Sequence, residues 1–420
     1  MTPSLARQAV VLVGGRGTRL GDFAKETPKP LLPVTAERRF LDYLLENLAR
    51  HGFEETILLA GHLGEQVEQA YQGRTVNGMP LRVIREPSPA GTAGALTYAA
   101  DWLAPQFMMM NGDSYFDFNY LALTSAAKAG ALGALALRWV SDAGRYGAVA
   151  LNGDRITRFS EKDPAAGPGM ISGGVYALDR DVMSLIGAMP CSIETDIFPR
   201  LAANGQLIGL PFPGYFIDIG LPETLEQCRA ELERVTMRPA VIFDRDGCLI
   251  YDDGYTHKTE DLRWMPGAID AVRYVNDSGG LAIVATNQSG IGRGYYTEAD
   301  MHRFHAQMQT DLAAAGAHID AFYFCPFHAD AALEHYRAPD HFDRKPNPGM
   351  IVRALSDWPI DAKRTLLVGD KDSDQAAAAA AGVRGALSGN EPLDRLVRAA
   401  WGERATPPDT GQGLDANLRS

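Results

Sequence analysis

Short, unbroken apolar runs alternate along this chain with stretches in which apolar residues recur every three or four positions. Ala9-Val10-Val11-Leu12-Val13 stops at Gly14-Gly15, the pattern of a strand buried on both faces. Phe40, Leu41, Leu44, Leu45 and Leu48 then share one helical stripe, with Gly52 as a stop signal. Residues 56–60 read as the next strand, and Phe107-Met108-Met109-Met110 as another, ending at Asn111-Gly112-Asp113. The methionine triplet reads as a buried strand rather than a soft-metal site, because the run is continuous and ends in a turn signal. Near residue 237 the pattern restarts. Residues 221–235 read as a closing helix, Arg238-Pro239 resets the chain, and Ala240-Val241-Ile242-Phe243 opens a new strand. Helix 267–277, strand 281–285, helix 298–315 and strand 366–369 follow. Strands alternating with helices predict an α/β fold with mostly parallel sheets, made twice. The expectation is two doubly wound domains, 1–236 and 238–392, and a mobile Pro- and Gly-rich tail over 400–420.

Composition narrows the function without naming it. The 420 residues suit two domains, and 46% hydrophobic with 22% charged is an ordinary globular balance. A net charge of −12 argues against a general nucleic-acid binder. The apolar run before Gly14 is too short for a signal-peptide core, and no run approaches the ~20 residues of a membrane span. Four cysteines, Cys191, Cys228, Cys248 and Cys325, show no CxxC spacing, so a reducing cytoplasm is expected. Oligomeric state is not legible.

The first cluster of chemistry follows the first strand. Gly14-Gly15-Arg16-Gly17-Thr18-Arg19-Leu20 is a turn whose backbone N–H groups can approach phosphate oxygens. It lacks the Gly-Lys-Ser/Thr of a Walker loop, and Leu20 stands where a dinucleotide fingerprint needs glycine. Arg19 and, ten residues on, Lys29 within Pro28-Lys29-Pro30-Leu31-Leu32-Pro33 are two cations suited to a polyphosphate with a departing pyrophosphate. Downstream stand Gly91-Thr92-Ala93-Gly94, Asn111-Gly112-Asp113, Glu161-Lys162, Gly173-Gly174 and Asp218-Ile219-Gly220-Leu221-Pro222-Glu223.

Taken together, these motifs make residues 1–235 resemble the sugar-1-phosphate nucleotidyltransferases. The resemblance implies attack of a sugar 1-phosphate oxygen on the α-phosphorus of an NTP, with pyrophosphate leaving. Asp113 and Asp218 would then hold a Mg²⁺ that bridges the phosphates. Arg19 would grip the β/γ side, Lys29 the α-phosphoryl oxygens and Lys162 the sugar phosphate. Gly14, Gly15, Gly17 and Thr18 would lie along the phosphates, Gly91, Thr92 and Gly94 by the base, and Gly173 and Gly174 by the sugar.

The second cluster begins with Ile242-Phe243-Asp244-Arg245-Asp246-Gly247. A carboxylate at a strand end can attack phosphorus directly. Another two residues on points the same way and can protonate the leaving oxygen, then activate water. Thr286-Asn287-Gln288, Arg344-Lys345-Pro346 and Gly369-Asp370-Lys371-Asp372-Ser373-Asp374 follow in order. This order is similar to that of the haloacid-dehalogenase-like phosphatases. Within them, Asp253-Gly254-Tyr255, the Gln288–Gly294 stretch and Arg344-Lys345-Pro346 with Pro348-Gly349-Met350 resemble the heptose bisphosphate and histidinol phosphatases, over residues 240–388. The resemblance makes Asp244 the nucleophile and Asp246 the general acid/base. It places Thr286 and Lys345 on the transferring phosphoryl group, Arg344 on substrate phosphate and Asn287 among the substrate-binding residues, and gives Asp370 to a Mg²⁺ site with Asp244 and Asp246. Cys248 reads as a packed small residue.

The implied whole is a bifunctional enzyme of activated-heptose synthesis. It would remove the 7-phosphate of D-glycero-D-manno-heptose 1,7-bisphosphate and transfer GMP from GTP to the resulting 1-phosphate. The alternatives are a mannose-1-phosphate guanylyltransferase joined to a phosphatase of other specificity, or one domain without catalysis. One departure stands out. Many heptose bisphosphate phosphatases carry a zinc loop, C-x-H then C-x-C; here Phe327 replaces the first His, and His341-Phe342-Asp343 replaces the later pair. Cys325, His328, His341 and Asp343 would make at best a one-thiolate set. The expectation is a loop without Zn²⁺, organised by Phe327, Tyr336 and Phe342.

Overall fold

The computed structural model describes residues 6–15, 17–126, 130–144, 148–159 and 167–405. The chain divides into two compact units, Met1–Glu233 and Arg234–Ser420. The helix Pro222–Thr236 runs across that division.

In the first unit the strands are β1 (Gln8–Leu12), β2 (Glu55–Ala60), β3 (Thr75–Val76), β4 (Met79–Arg85), β5 (Gln106–Asn111), β6 (Ser114–Phe116), β7 (Gly133–Val140), β8 (Val149–Asn152), β9 (Arg155–Phe159), β10 (Gly169–Asp179), β11 (Leu207–Pro211) and β12 (Phe216–Asp218). Among the described residues, ten of them form one sheet in the order β3-β4-β2-β1-β5-β10-β7-β11-β9-β8. Strand β1 pairs parallel with β2 on one side and β5 on the other. The chain therefore leaves β1 in one direction and returns on its far side. The C-terminal ends of β1 and β5 bound the crevice such a reversal opens, the usual ligand position in open α/β sheets. β10 then runs antiparallel to both β5 and β7. The sheet is therefore mixed, where the pattern suggested mostly parallel strands. β6 and β12 form a separate antiparallel pair, with Asp218 opposite Ser114.

The expected strands and helices lie where the apolar periodicity put them. Met108 and Met109 are fully buried in β5, and Met109 packs with Val10, Ile57, Leu135, Tyr176 and Phe198 in one core.

The second unit holds β13 (Ala240–Phe243), β14 (Leu281–Asn287), β15 (Ala321–Cys325), β16 (Leu366–Gly369) and β17 (Arg384–Leu387). All pair in parallel, in the order β15-β14-β13-β16-β17. Its crevice lies at the C-terminal ends of β13 and β16. One expectation fails here. Residues 400–405 do not begin a loose tail; they complete the helix Leu393–Ala405. Trp401 is fully buried against the helix Ala268–Asp277, and its indole N–H donates to the Arg364 carbonyl at 2.9 Å. Leu393, Val397 and Trp401 recur at helical spacing among charged residues, a stripe masked by the local polarity. The unit thus extends past 392; the remainder of the expected tail, 406–420, lies outside the described residues.

Among the described residues, no helix is long and apolar enough to cross a membrane. All four cysteines are buried and unpaired.

Candidate active sites

In the first unit a cavity of about 610 Å³ opens at the ends of β1 and β5. Gly14, Gly15, Arg19, Lys29 and Asp113 line it, together with Gly61, Glu86, Gly91, Thr92, Asn111 and Glu194. Gly17 turns with φ +62°, and a Cβ there would lie 2.6 Å from Ala24 Cβ and 3.1 Å from the Lys29 side chain. Only glycine lets the loop lie against Lys29 in that conformation. Lys29 is buried and its Nζ pairs with Asp113 Oδ2 at 3.0 Å. Thr18 opens the helical turn Thr18–Ala24, and Arg19 is exposed at the rim. Lys162 lies outside the described residues.

Asp218 reaches Asp113 because β12 pairs with β6: the Ile219 N–H donates to the Asp113 carbonyl at 2.9 Å. Asp218 Oδ1 accepts from the Gly220 N–H at 2.8 Å and Oδ2 from Ser114 Oγ at 3.2 Å. Burial, and then the charge of Asp113, push its carboxyl above the ordinary range. Two like charges forced together at strand ends, with one lysine between them, suit a divalent cation with hard oxygen ligands.

The glycine pairs are placed unevenly. Gly91 and Thr92 line the cavity, while the Gly91–Gly94 turn docks on the Cys191 carbonyl, which accepts from the Ala93 and Gly94 N–H groups. Gly94 faces Met189, beneath the cavity wall. Gly173 packs against the Phe116 ring; Gly174, beside Asn111, is nearer the cavity.

Two acids lining this cavity escaped the motif search. A Cβ on Gly14 would lie 2.9 Å from both Glu86 Oε1 and the Gly61 backbone nitrogen, so Glu86 closes a narrow slot between two glycines. Burial raises its carboxyl, partly offset by the Ala90 N–H. Glu194 sits on the wide helical turn Ile193–Ile197, where the Phe198 N–H donates five residues back to Ile193. Such turns concentrate at functional sites. Its Oε1 accepts from the buried Tyr176 hydroxyl at 2.7 Å. Neither acid has a spacing signal, since each is brought in by a separate crossover.

In the second unit Asp244 follows β13 and its N–H donates to Val368 of β16 at 2.8 Å. Lys345 Nζ lies 2.9 Å from Asp244 Oδ1 and 2.6 Å from Asp374 Oδ1, all three buried. Burial pushes the Asp244 carboxyl up to about 6 against the pull of Lys345, with Asp374 and Asp246 adding to the rise. Asp244, Asp370 and Asp374 bring one oxygen each within 4.8 Å of one another. Asp370 Oδ1 is buried without a hydrogen-bond partner, an orphan that a hard cation would satisfy. Asp374, outside the expected ligand set, is thus part of the cluster. Gly247 turns at φ +82°, and a Cβ there would sit 2.5 Å from Asp370 Oδ2, which is why the motif ends in glycine.

Thr286 is buried at the end of β14 and its hydroxyl accepts from Gln288 Nε2 at 2.8 Å. Asn287 holds Lys345 rather than pointing at a ligand: its Oδ1 accepts from the Lys345 N–H and its Nδ2 donates to the Lys345 carbonyl. Arg344 donates to the Phe327 carbonyl at 3.0 Å. Cys248 packs under Asp244, its thiol pushed well up by burial and by that carboxylate. In the Cys325 loop, Phe327 stacks face to face on His341 at 3.7 Å and meets Tyr336 edge-on at 5.6 Å. His328 accepts from Arg293. Phe342, expected to share this packing, is instead 57% exposed; it follows His341 around the turn and faces outward.

The Nucleotidyl transferase family model matches residues 8–235. The HAD-hydrolase-like model matches residues 342–401. The D-glycero-beta-D-manno-heptose-1,7-bisphosphate 7-phosphatase of Rhodopseudomonas palustris is 43% identical over 162 residues, 38% of this chain and 89% of that protein. The chain belongs to the nucleotidyl transferase family, and its second unit to the heptose-bisphosphate phosphatases. The D-glycero-alpha-D-manno-heptose-1,7-bisphosphate 7-phosphatase of Burkholderia mallei is 41% identical over 42% of this chain and 96% of its own. The crystal structure of HddC from Yersinia pseudotuberculosis is 26% identical over 54% of this chain and 99% of its own, with a TM-score of 0.49. This nucleotidyl transferase is a bifunctional enzyme, with a phosphatase as its second unit.

Proposed function

We propose that the two units catalyse successive steps of nucleotide-activated heptose synthesis. The second removes the 7-phosphate of D-glycero-D-manno-heptose 1,7-bisphosphate; the first joins the heptose 1-phosphate to GMP from GTP and releases pyrophosphate. The observation that carries this reading is a phosphatase unit 43% identical to a heptose bisphosphate 7-phosphatase on the same chain as a nucleotidyltransferase. One unit's product has the chemistry of the other's substrate.

In the phosphatase unit Asp244 attacks the 7-phosphorus while Asp246 delivers a proton to the departing sugar oxygen. Water then attacks the aspartyl phosphate, and Asp246 takes its proton. Lys345 and Thr286 hold the phosphoryl oxygens. Asp244, Asp370 and Asp374 would hold Mg²⁺, which would supply charge neutralisation at the phosphoryl group.

In the nucleotidyltransferase unit Asp113 and Asp218 would hold a second Mg²⁺, and Lys29 and Arg19 would lie along the phosphates. Support for GTP is the overall resemblance to heptose-1-phosphate guanylyltransferases, together with Glu86. Guanine presents two adjacent donors, N1–H and the N2 amino group, and a carboxylate can accept both. The four unpaired cysteines support work in the reducing cytoplasm.

The test is purified protein with heptose 1,7-bisphosphate and each NTP in turn, following phosphate and pyrophosphate separately. Phosphate release followed by GTP-dependent pyrophosphate release is expected. Preference for histidinol phosphate, or for mannose 1-phosphate over heptose 1-phosphate, overturns the reading.

A further inference from the structure

Arg245 stands between the two aspartates of the DxDG turn and is completely buried. Its guanidinium is forked onto the next residue: Nε donates to Asp246 Oδ1 at 2.7 Å and Nη2 to Asp246 Oδ2 at 3.0 Å. We infer that Arg245 is the positioning residue for the acid/base of the phosphatase unit, fixing where the Asp246 carboxyl points. The inference rests on the roles of Asp244 and Asp246 proposed above.

Three contacts hold the fork itself. Nη2 also donates to the Thr256 carbonyl at 2.9 Å, and Nη1 lies 3.3 Å from His305 Nε2. The guanidinium carbon lies 5.0 Å from the centroid of the Phe304 ring, over its face. His305 is stacked on Phe322 at 4.2 Å; burial and the nearby Arg245 charge push it down to about 2. It is therefore a neutral ring whose nitrogen can accept. Gln288 completes the grip, donating to Asp246 Oδ2 at 2.7 Å while its own oxygen accepts from the Tyr296 hydroxyl at 2.6 Å. Both carboxyl oxygens of Asp246 are thus engaged.

A fully buried guanidinium is a weak device for stability, because its desolvation offsets its ion pair. It is a strong device for geometry, since a planar fork fixes both position and tilt of a carboxylate. An aspartate on a turn otherwise rotates freely about two torsions. General acid–base help contributes about 10²–10⁴-fold, and an error of ~1 Å in its placement can cost ~10²-fold. Arg245 could instead merely tie the Thr256 segment to β13, in which case its loss would not discriminate between leaving groups.

Leaving-group dependence separates the two. The C7 oxygen of heptose 1,7-bisphosphate departs as an alkoxide and needs the proton of Asp246. p-Nitrophenyl phosphate departs as a stable anion and does not. Arg245→Met is expected to lower kcat for the bisphosphate roughly 10²-fold with KM little changed. With the aryl ester it should still form the aspartyl phosphate, giving a burst of nitrophenolate before slow hydrolysis. In an Asp246→Asn background it should cost the bisphosphate reaction nothing further. Equal slowing of the first, enzyme-phosphorylating phase with both substrates, or a further loss in that background, overturns the inference. If Arg245→Met loses the burst, Arg245→Lys decides: it keeps the buried charge without the fork, so the bisphosphate reaction should fall while the burst stays. An unchanged ratio between the two substrates in the enzyme-phosphorylating phase of Arg245→Lys overturns the inference equally. Wild-type protein that hydrolyses neither ester overturns the site reading beneath it.

Discussion

Glu86→Gln is the sharpest probe of the nucleotide site. Glu86 is half-buried at the end of the slot formed by Gly14 and Gly61, with Oε1 turned towards Gly14. The substitution keeps shape and volume but exchanges one acceptor for an amino group, which then faces a guanine donor. A well-placed bidentate contact to a base edge is worth about 1–3 kcal/mol of discrimination. A hydrogen bond to a charged group falls in a similar range, about 1.5–3 kcal/mol. Because the carboxyl keeps partial access to water, about 2 kcal/mol is the reasonable figure, which is roughly 30-fold in kcat/KM for GTP. Uracil and thymine pair an N3–H donor with an O4 acceptor, a pattern that the glutamine amide matches. The ratio of kcat/KM for UTP or dTTP to that for GTP should therefore rise. The assay is pyrophosphate release at saturating sugar 1-phosphate with each NTP varied, and phosphate release by the second unit serves as the internal control. An unchanged GTP preference in Glu86→Gln refutes the base-reading argument, whatever the absolute rate.

The two activities should separate. Asp244→Asn should abolish phosphate release and leave nucleotidyl transfer from supplied heptose 1-phosphate intact, with Asp113→Asn or Asp218→Asn doing the reverse; loss of both activities in Asp244→Asn contradicts the two-site assignment. Each activity should stop in chelator and return with Mg²⁺, because both sites bring carboxylates together as hard oxygen ligands; full activity in chelator excludes the metal for whichever reaction survives. Trp401→Ala removes a fully buried indole and should cost the second unit about 3–5 kcal/mol, read as a lower denaturant midpoint; a midpoint like that of the wild type refutes the packing of the last helix. Protein purified without chelator should carry no stoichiometric zinc, and about one zinc per chain, lost on Cys325→Ser, contradicts the stacked Phe327–His341 reading.

Much of both candidate sites was legible in the sequence because carboxylates at strand ends come with local signatures. A buried strand followed by glycine and aspartate is a pattern of four to six residues, so β1, β5, β13 and β16 and the residues just after them could be read directly. Asp244, Asp246 and Asp370 all announce themselves this way, and so do Gly14 and Asp113. The apolar periodicity also located the first helices and the point where the second unit begins, since burial on one face imposes that period whatever the partner.

What lay beyond reach depends on contacts between distant segments. Glu86 and Glu194 became site residues only when two crossovers carried them to the ends of β1 and β5. Asn287, adjacent to Thr286, spends its amide on the backbone of Lys345, fifty-eight positions away. Trp401 belongs to the core because the helix Ala268–Asp277 offers it an apolar face; its polar neighbours had suggested a tail. Arg245 could be any exposed arginine until Thr256, His305 and Phe304 enclose it. Local sequence thus determined the strands, their turns and the candidate carboxylates at their ends, whose conformations depend on neighbours a few residues away. Tertiary structure decided which side chains face those carboxylates and hold them in place, because burial and ion pairing are set by whichever segments the crossovers bring together.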